Sequence, residues 1–169
     1  MTAPSAGRPG GGVGFLLAQL GQRAADRFAE RISVLELTPP QAGILRAIAG
    51  QPGRSQQALS EQLGLLPSRV VAFVDELEQR GCVQRRRNLT DRRLHALHLT
   101  EAGHALMKEI GKVARKHDQE MTAGLSAEDR VTLQGLLARL ADQHGLAPGV
   151  HPGYRGVGRP TGSADATAG

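Results

Sequence analysis

Residues 55–103 read SQQALSEQLGLLPSRVVAFVDELEQRGCVQRRRNLTDRRLHALHLTEAG, and their punctuation decides the fold. Ser55 is an N-cap for a short helix whose Ala58, Leu59, Gln62 and Leu63 precede Gly64, a helix stop. After a tight turn, Pro67 opens the next helix at the first position, where its missing N–H would have had no helical partner. Val70, Phe73, Val74 and Leu77 follow i, i+3, i+4, i+7 spacing there until Gly81 ends it. The opposite face carries Ser68, Arg69 and Ala72. From Cys82 to Arg87 the pattern is extended, Asn88 to Asp91 is a polar turn, and Leu94 to Leu99 returns with Leu97 and Leu99 on one side.

Two short helices joined by a tight turn have the geometry of a helix-turn-helix, although core packing alone accounts for such a pair. The hairpin distinguishes the two readings. Arg85, Arg86, Arg87, Arg92 and Arg93 against Asp91 place +4 of the chain's formal +5 within residues 85–93. A basic hairpin beside a helix can reach phosphates or a minor groove while the helix enters the major groove, roughly 12 Å wide.

Working outward, Leu17, Gly21, Ala24, Phe28 and Leu35 recur at helical spacing and mark a first helix. Thr38-Pro39-Pro40-Gln41 reads as a capping box opening a second, with Ile44, Leu45 and Ile48 inside and Gly50 as its stop. Beyond the hairpin, Thr100-Glu101 starts a long helix striped by Leu106, Ile110, Val113, His117 and Met121. Ser126 caps a last one carrying Leu133, Leu136, Leu137 and Leu140. The expected fold is mainly α with a small β-hairpin wing, a winged helix-turn-helix over 37–100 flanked by long helices over 13–36 and 101–145. Residues 1–12 and the tail 146–169, with six Gly and three Pro, hold too little apolar matter to offset ordering entropy and are expected to be disordered.

The 169 residues suit a single core, and with 2% aromatics that core is built from Leu, Val, Ile and Ala. Cys82 is the one cysteine, which excludes an internal disulfide and fits a reducing, cytoplasmic setting. No stretch of about 18 apolar residues exists, so no membrane partner is expected. No Walker loop, complete GxGxxG, HExxH or GxSxG is present, and the chain reads as a non-enzyme without a cofactor. His95 and His98 point to opposite faces of a strand and no dense Cys/His cluster occurs, so no metal site is expected. His117 interrupts an apolar stripe and reads as a satisfied core or dimer histidine, with ligand contact the alternative.

The stretch from Leu59 to Val70, followed by Asp75-Glu76-Leu77-Glu78-Gln79-Arg80-Gly81-Cys82-Val83, resembles the winged helix-turn-helix of the MarR family. Asp91-Arg92-Arg93 with Leu97, Leu99 and Thr100-Glu101-Ala102-Gly103 is similar to that family's wing, and the resemblance spans about residues 13–145. It implies a homodimer formed by the terminal helices and a repressor of palindromic operators in double-stranded DNA. It also implies release by oxidation or by a small aromatic or lipophilic effector, the latter bound between the dimerisation helices and the DNA-binding lobe. The scarcity of aromatics argues instead for an aliphatic-lined effector site, or none. A winged helix used only for protein docking is the alternative function.

On this reading Ser68 and Arg69 are candidates for base-edge contact, since a guanidinium can donate two hydrogen bonds to guanine O6 and N7; phosphate contact alone is the alternative for Arg69. Leu66 and Ala72 stand where the family often has polar side chains, which narrows direct base reading. Arg92 and Arg93 are candidates for the minor groove, with Asp91 orienting an arginine through a charge-assisted hydrogen bond. Arg85, Arg86 and Arg87 are further DNA candidates, although strand alternation keeps all three from facing one way. Arg54 is another phosphate candidate. Cys82 falls where the family packs an apolar residue and reads as structural rather than redox-active.

Overall fold

The computed structural model describes residues 11–87, 95–151 and 154. Helix α1 runs Val13–Ile32 and ends in a 3₁₀ turn, Ser33–Leu35. Then come α2 (Pro39–Gly50), α3 (Gln56–Leu63), α4 (Pro67–Gln79), β1 (Val83–Arg87), β2 (His95–Leu99), α5 (Glu101–Met121) and α6 (Ala127–Gln143). The mainly helical fold with one antiparallel hairpin is the winged helix-turn-helix expected.

Local chemistry places the boundaries. At α2, the Thr38 amide donates to Gln41 Oε1 at 2.8 Å, and the Gln41 side chain, itself buried, donates from Nε2 to Glu76 Oε2 at 2.6 Å. One cap thus ties α2 to α4. Ser55 Oγ accepts from the Ala58 amide, and Gly64 closes α3 at φ +65°, a left-handed conformation that a Cβ disfavours. Ser60 Oγ then donates to the Leu65 carbonyl at 2.6 Å, which sets the tight turn into α4. Ile44, Leu45, Ile48, Leu59, Val74 and Leu77 are wholly buried where α2, α3 and α4 meet. Each such side chain contributes about 1.5–3 kcal/mol relative to exposure.

The hairpin pairs Val83 with Leu99, Arg85 with Leu97 and Arg87 with His95. Val83, Leu97 and Leu99 are buried, so the hairpin's base belongs to the core while its basic end does not. Its other edge is covered by Gly53–Arg54: the Gly53 amide donates to Leu97 O at 2.8 Å, and the Leu97 amide donates to Arg54 O at 2.9 Å. Sequence patterning had no means of showing this pairing. The turn at Asn88–Asp91 and residues Arg92, Arg93 and Leu94 lie outside the described residues.

The terminal arms leave apolar surface uncovered. Val13, Phe15, Leu16 and Leu20 on α1 are exposed, Val13 at 71%. No residue of α6 is buried, and its Leu133, Leu136, Leu137 and Leu140 are all open to solvent. Of the helically spaced Leu17, Gly21, Ala24 and Phe28 on α1, only Ala24 and Phe28 are partly covered.

Residues 1–10 lie outside the described residues; of the stretch from 146 that was expected to be disordered, residues 146–151 and 154 are described. Val150 packs against the core, and Tyr154 is buried at 7% exposure with its hydroxyl donating to Pro39 O at 2.9 Å. Gly and Pro content measures the entropy of ordering and is blind to a slot elsewhere in the chain. Here the slot is Gly43 on α2, where a Cβ would lie 2.8 Å from the Tyr154 ring.

Candidate functional site

Helix α4 turns about 100° per residue, and with Val70, Val74 and Leu77 buried, its exposed face carries Ser68, Val71, Ala72 and Gln79. Ser68 stands at the start of this face, as the sequence suggested. Arg69 does not share it. One residue further round, it lies half-buried on the helix's flank and lines a cavity with Phe73. Of Ser68, Arg69 and Ala72, Arg69 is thus the one that is partly covered, at the edge of the outward face about 100° from Ser68.

The three arginines of β1 divide. Arg86 and Arg87 are exposed, whereas the Arg85 guanidinium is ion-paired with both Asp75 and Glu78 of α4. Its amide also donates to Glu78 Oε1 at 3.2 Å. Desolvation works against its charge, but the two carboxylates outweigh it and hold the guanidinium above its ordinary value. Arg85 is therefore a brace between the wing and α4 and leaves the set of free cations. Arg85→Met is expected to lower stability by about 1 kcal/mol, the pairs being partly exposed, and to change DNA affinity less than about threefold. A tenfold loss of affinity with unchanged melting would return Arg85 to the DNA-facing set. Arg54 donates to Gln62 of α3, so its side chain is held beside the helix-turn-helix.

A cavity of about 850 Å³ opens where α1 and α5 meet α2 and α4. Phe28, Phe73 and Tyr154 line it, which is three of the chain's four aromatic side chains. Overall scarcity thus concealed local concentration: the aromatic residues that the chain does have gather around one cavity. Arg46 and Arg69 bring two cations to the lining and Asp26 one carboxylate. His117 lies edge-on to Phe28, ring centres 5.6 Å apart, and its Nδ1 accepts from Arg31 Nη1 at 2.8 Å. Because Arg31 can only donate, this contact favours the tautomer with no proton on Nδ1, and with it the neutral imidazole. Burial and the adjacent Arg31 push its pKa down, against the pull of Asp118 and Glu120. Arg31 is also ion-paired with Glu120. The sequence placed His117 on this stripe but missed Arg46 and Tyr154. Phe28 and Phe73 were legible only as packing residues.

Cys82 is buried, and its Sγ lies 3.6 Å from the Arg80 carbonyl, in keeping with the structural reading. Among the described residues, no group of His, Cys, Asp and Glu is placed to hold a metal ion, and no helix is long and apolar enough to cross a membrane.

Comparison with known proteins bears on this geometry. The sequence model of the MarR family matches residues 35–94. A Thauera aromatica protein, named as a transcriptional regulatory protein for the hcr operon, is 40% identical over 84% of this chain and 86% of its own length. The transcriptional repressor CouR, solved bound to a 23-mer DNA duplex, is 34% identical with a TM-score of 0.67, over 76% of this chain and 92% of that one. The Mycobacterium tuberculosis protein Rv2887, solved with p-aminosalicylic acid, is 27% identical with a TM-score of 0.65, over 78% and 99%.

Proposed function

Since the chain belongs to the MarR family of transcriptional regulators, which bind DNA and are not enzymes, we propose that it is a homodimeric repressor of inverted-repeat operators, released by an aromatic acid. The observation that carries the DNA half is the exposed face of α4 adjoining a strand with Arg86 and Arg87 open to solvent. On this reading α4 enters the major groove with Ser68 leading, Arg86, Arg87 and Arg54 approach phosphates, and Arg92 and Arg93 reach the minor groove with Asp91 orienting them. Leu66, Val71 and Ala72 offer apolar contact to thymine methyl groups rather than bidentate hydrogen bonds, so shape carries part of the recognition.

The uncovered leucines of α6 and the apolar start of α1 support the dimer, because contiguous exposed apolar surface marks an interaction site. The cavity supports the effector. Three aromatic rings supply apolar walls, and Arg46 and Arg69 supply the charge to hold a carboxylate. An acid wedged there separates α1 and α5 from the lobe bearing α4. That displacement alters the spacing of the two recognition helices, which must match major grooves about 34–36 Å apart. Arg69 belongs to this site rather than to base reading.

The test is selection of genomic fragments by the purified protein, with and without p-aminosalicylate. The expected result is an enriched inverted repeat, lost with the acid, whose affinity falls about 10³- to 10⁵-fold from 50 to 200 mM salt. A confirmed dimer that enriches no sequence would overturn the operator reading in favour of protein docking. Enrichment unaffected by any aromatic acid would overturn the effector reading alone.

A further inference from the structure

The cavity has one wall that the helices do not provide. Beyond α6 the chain runs back to α2, with Val150, His151 and Tyr154 all lining the cavity. Gly149 lies against Arg46, such that a Cβ there would be 3.5 Å from its guanidinium. Tyr154 is seated by three features at once. Its ring fills the space over Gly43, its hydroxyl donates to Pro39 O at 2.9 Å, and the His151 ring lies 5.7 Å away, tilted by 45°. With this segment in place the cavity still measures about 850 Å³, within the range of small-molecule sites. The segment therefore bounds the space and does not fill it.

Resting on the reading of the cavity as an effector site, we propose that Leu146–His151 and Tyr154 form a strap docked on α2, and that Tyr154 is a specificity-determining residue for the effector. Tyr154 presents an aromatic surface to the bound acid from the α2 side, and Gly149 holds the strap against Arg46, one of the two cations of the site. Gly43 is the residue that makes docking possible. Any side chain at that position would occupy the volume of the tyrosine ring.

The chain's single tyrosine and lack of tryptophan make this testable without any effector. Acrylamide quenching of intrinsic fluorescence reports on Tyr154 alone. Wild type should be protected, and Gly43→Ala should quench at least threefold more steeply. Alanine is a better helix former than glycine, so α2 itself is not weakened by that change. Wild-type quenching equal to that of free tyrosine amide, or no change in Gly43→Ala, would overturn the docked strap.

The specificity claim is read by calorimetry with p-aminosalicylate and 2-naphthoate. Gly43→Ala and Tyr154→Ala should each weaken p-aminosalicylate at least tenfold and shift the preference toward the larger acid. An unchanged affinity and preference with the strap evicted would overturn Tyr154 as a specificity residue. If wild type binds neither acid, the effector reading fails and the specificity role falls with it, while the quenching result still decides the strap.

Discussion

With Arg92 and Arg93 both replaced by Ala, DNA affinity is expected to fall at least about 100-fold while the protein still melts as a folded dimer. Both residues lie outside the described residues, in the stretch that joins Arg87 to His95. The core end of the hairpin does not depend on them, because Val83, Leu97 and Leu99 are buried and Leu97 is held by Gly53 and Arg54. Melting should therefore be unchanged. A dimer loses four cations in the double variant. Charge-assisted contacts are worth about 1.5–3 kcal/mol each, and about 1.4 kcal/mol is tenfold in affinity, so a 100-fold loss needs only a fraction of that total. Counterion release gives a second reading: the slope of log affinity against log salt should shrink by about 0.9 for every phosphate contact removed. Anisotropy titrations at several salt concentrations measure both. Unchanged affinity would remove the wing from the mechanism.

The second large effect concerns stability. Gly103→Ala is expected to cost about 3 kcal/mol or more, above the usual range for overpacking. Gly103 sits in the first turn of α5, with its amide donating to the capping Thr100 Oγ1 at 3.1 Å. A Cβ there would lie 2.0 Å from the Cys82 carbonyl oxygen and 3.2 Å from Leu99 Cβ. That carbonyl already accepts from the Thr100 amide at 3.1 Å, so the start of α5 and the approach to β1 are fixed against each other by backbone. No rotamer change relieves such a contact, and the helical preference for alanine, about 1 kcal/mol, is too small to offset it. At about 2–4 °C per kcal/mol for a chain of this size, melting should drop by roughly 6–12 °C or more. A melting temperature within about 2 °C of wild type would show that this close approach is dispensable.

What could be read in advance divides along physical lines. Helix starts and stops were legible because caps act over three or four residues: Thr38 with Gln41, Ser55 with Ala58 and Ser126 with Asp129 make their contacts within one turn. The hairpin was legible because alternation has a period of two. The ion pairs of Arg85 were not legible because its partners, Asp75 and Glu78, sit on the neighbouring helix, and a charge run looks the same whether it is free or paired. That Arg69 also lines a cavity was not legible, because adjacent helical residues differ by about 100° and the sequence does not say what packs beside that flank.

By itself the sequence determined the order and type of the elements, the basic hairpin and the resemblance to the MarR family, all properties of neighbours along the chain. Only the tertiary structure decided that Phe28, Phe73 and Tyr154 share one cavity with Arg46 and Arg69, and that Gly43 leaves room for a tyrosine far along the chain. The physical reason is range. Capping and periodicity are set by covalent proximity, whereas a site depends on which surfaces the buried core forces together, and that is a property of packing in three dimensions.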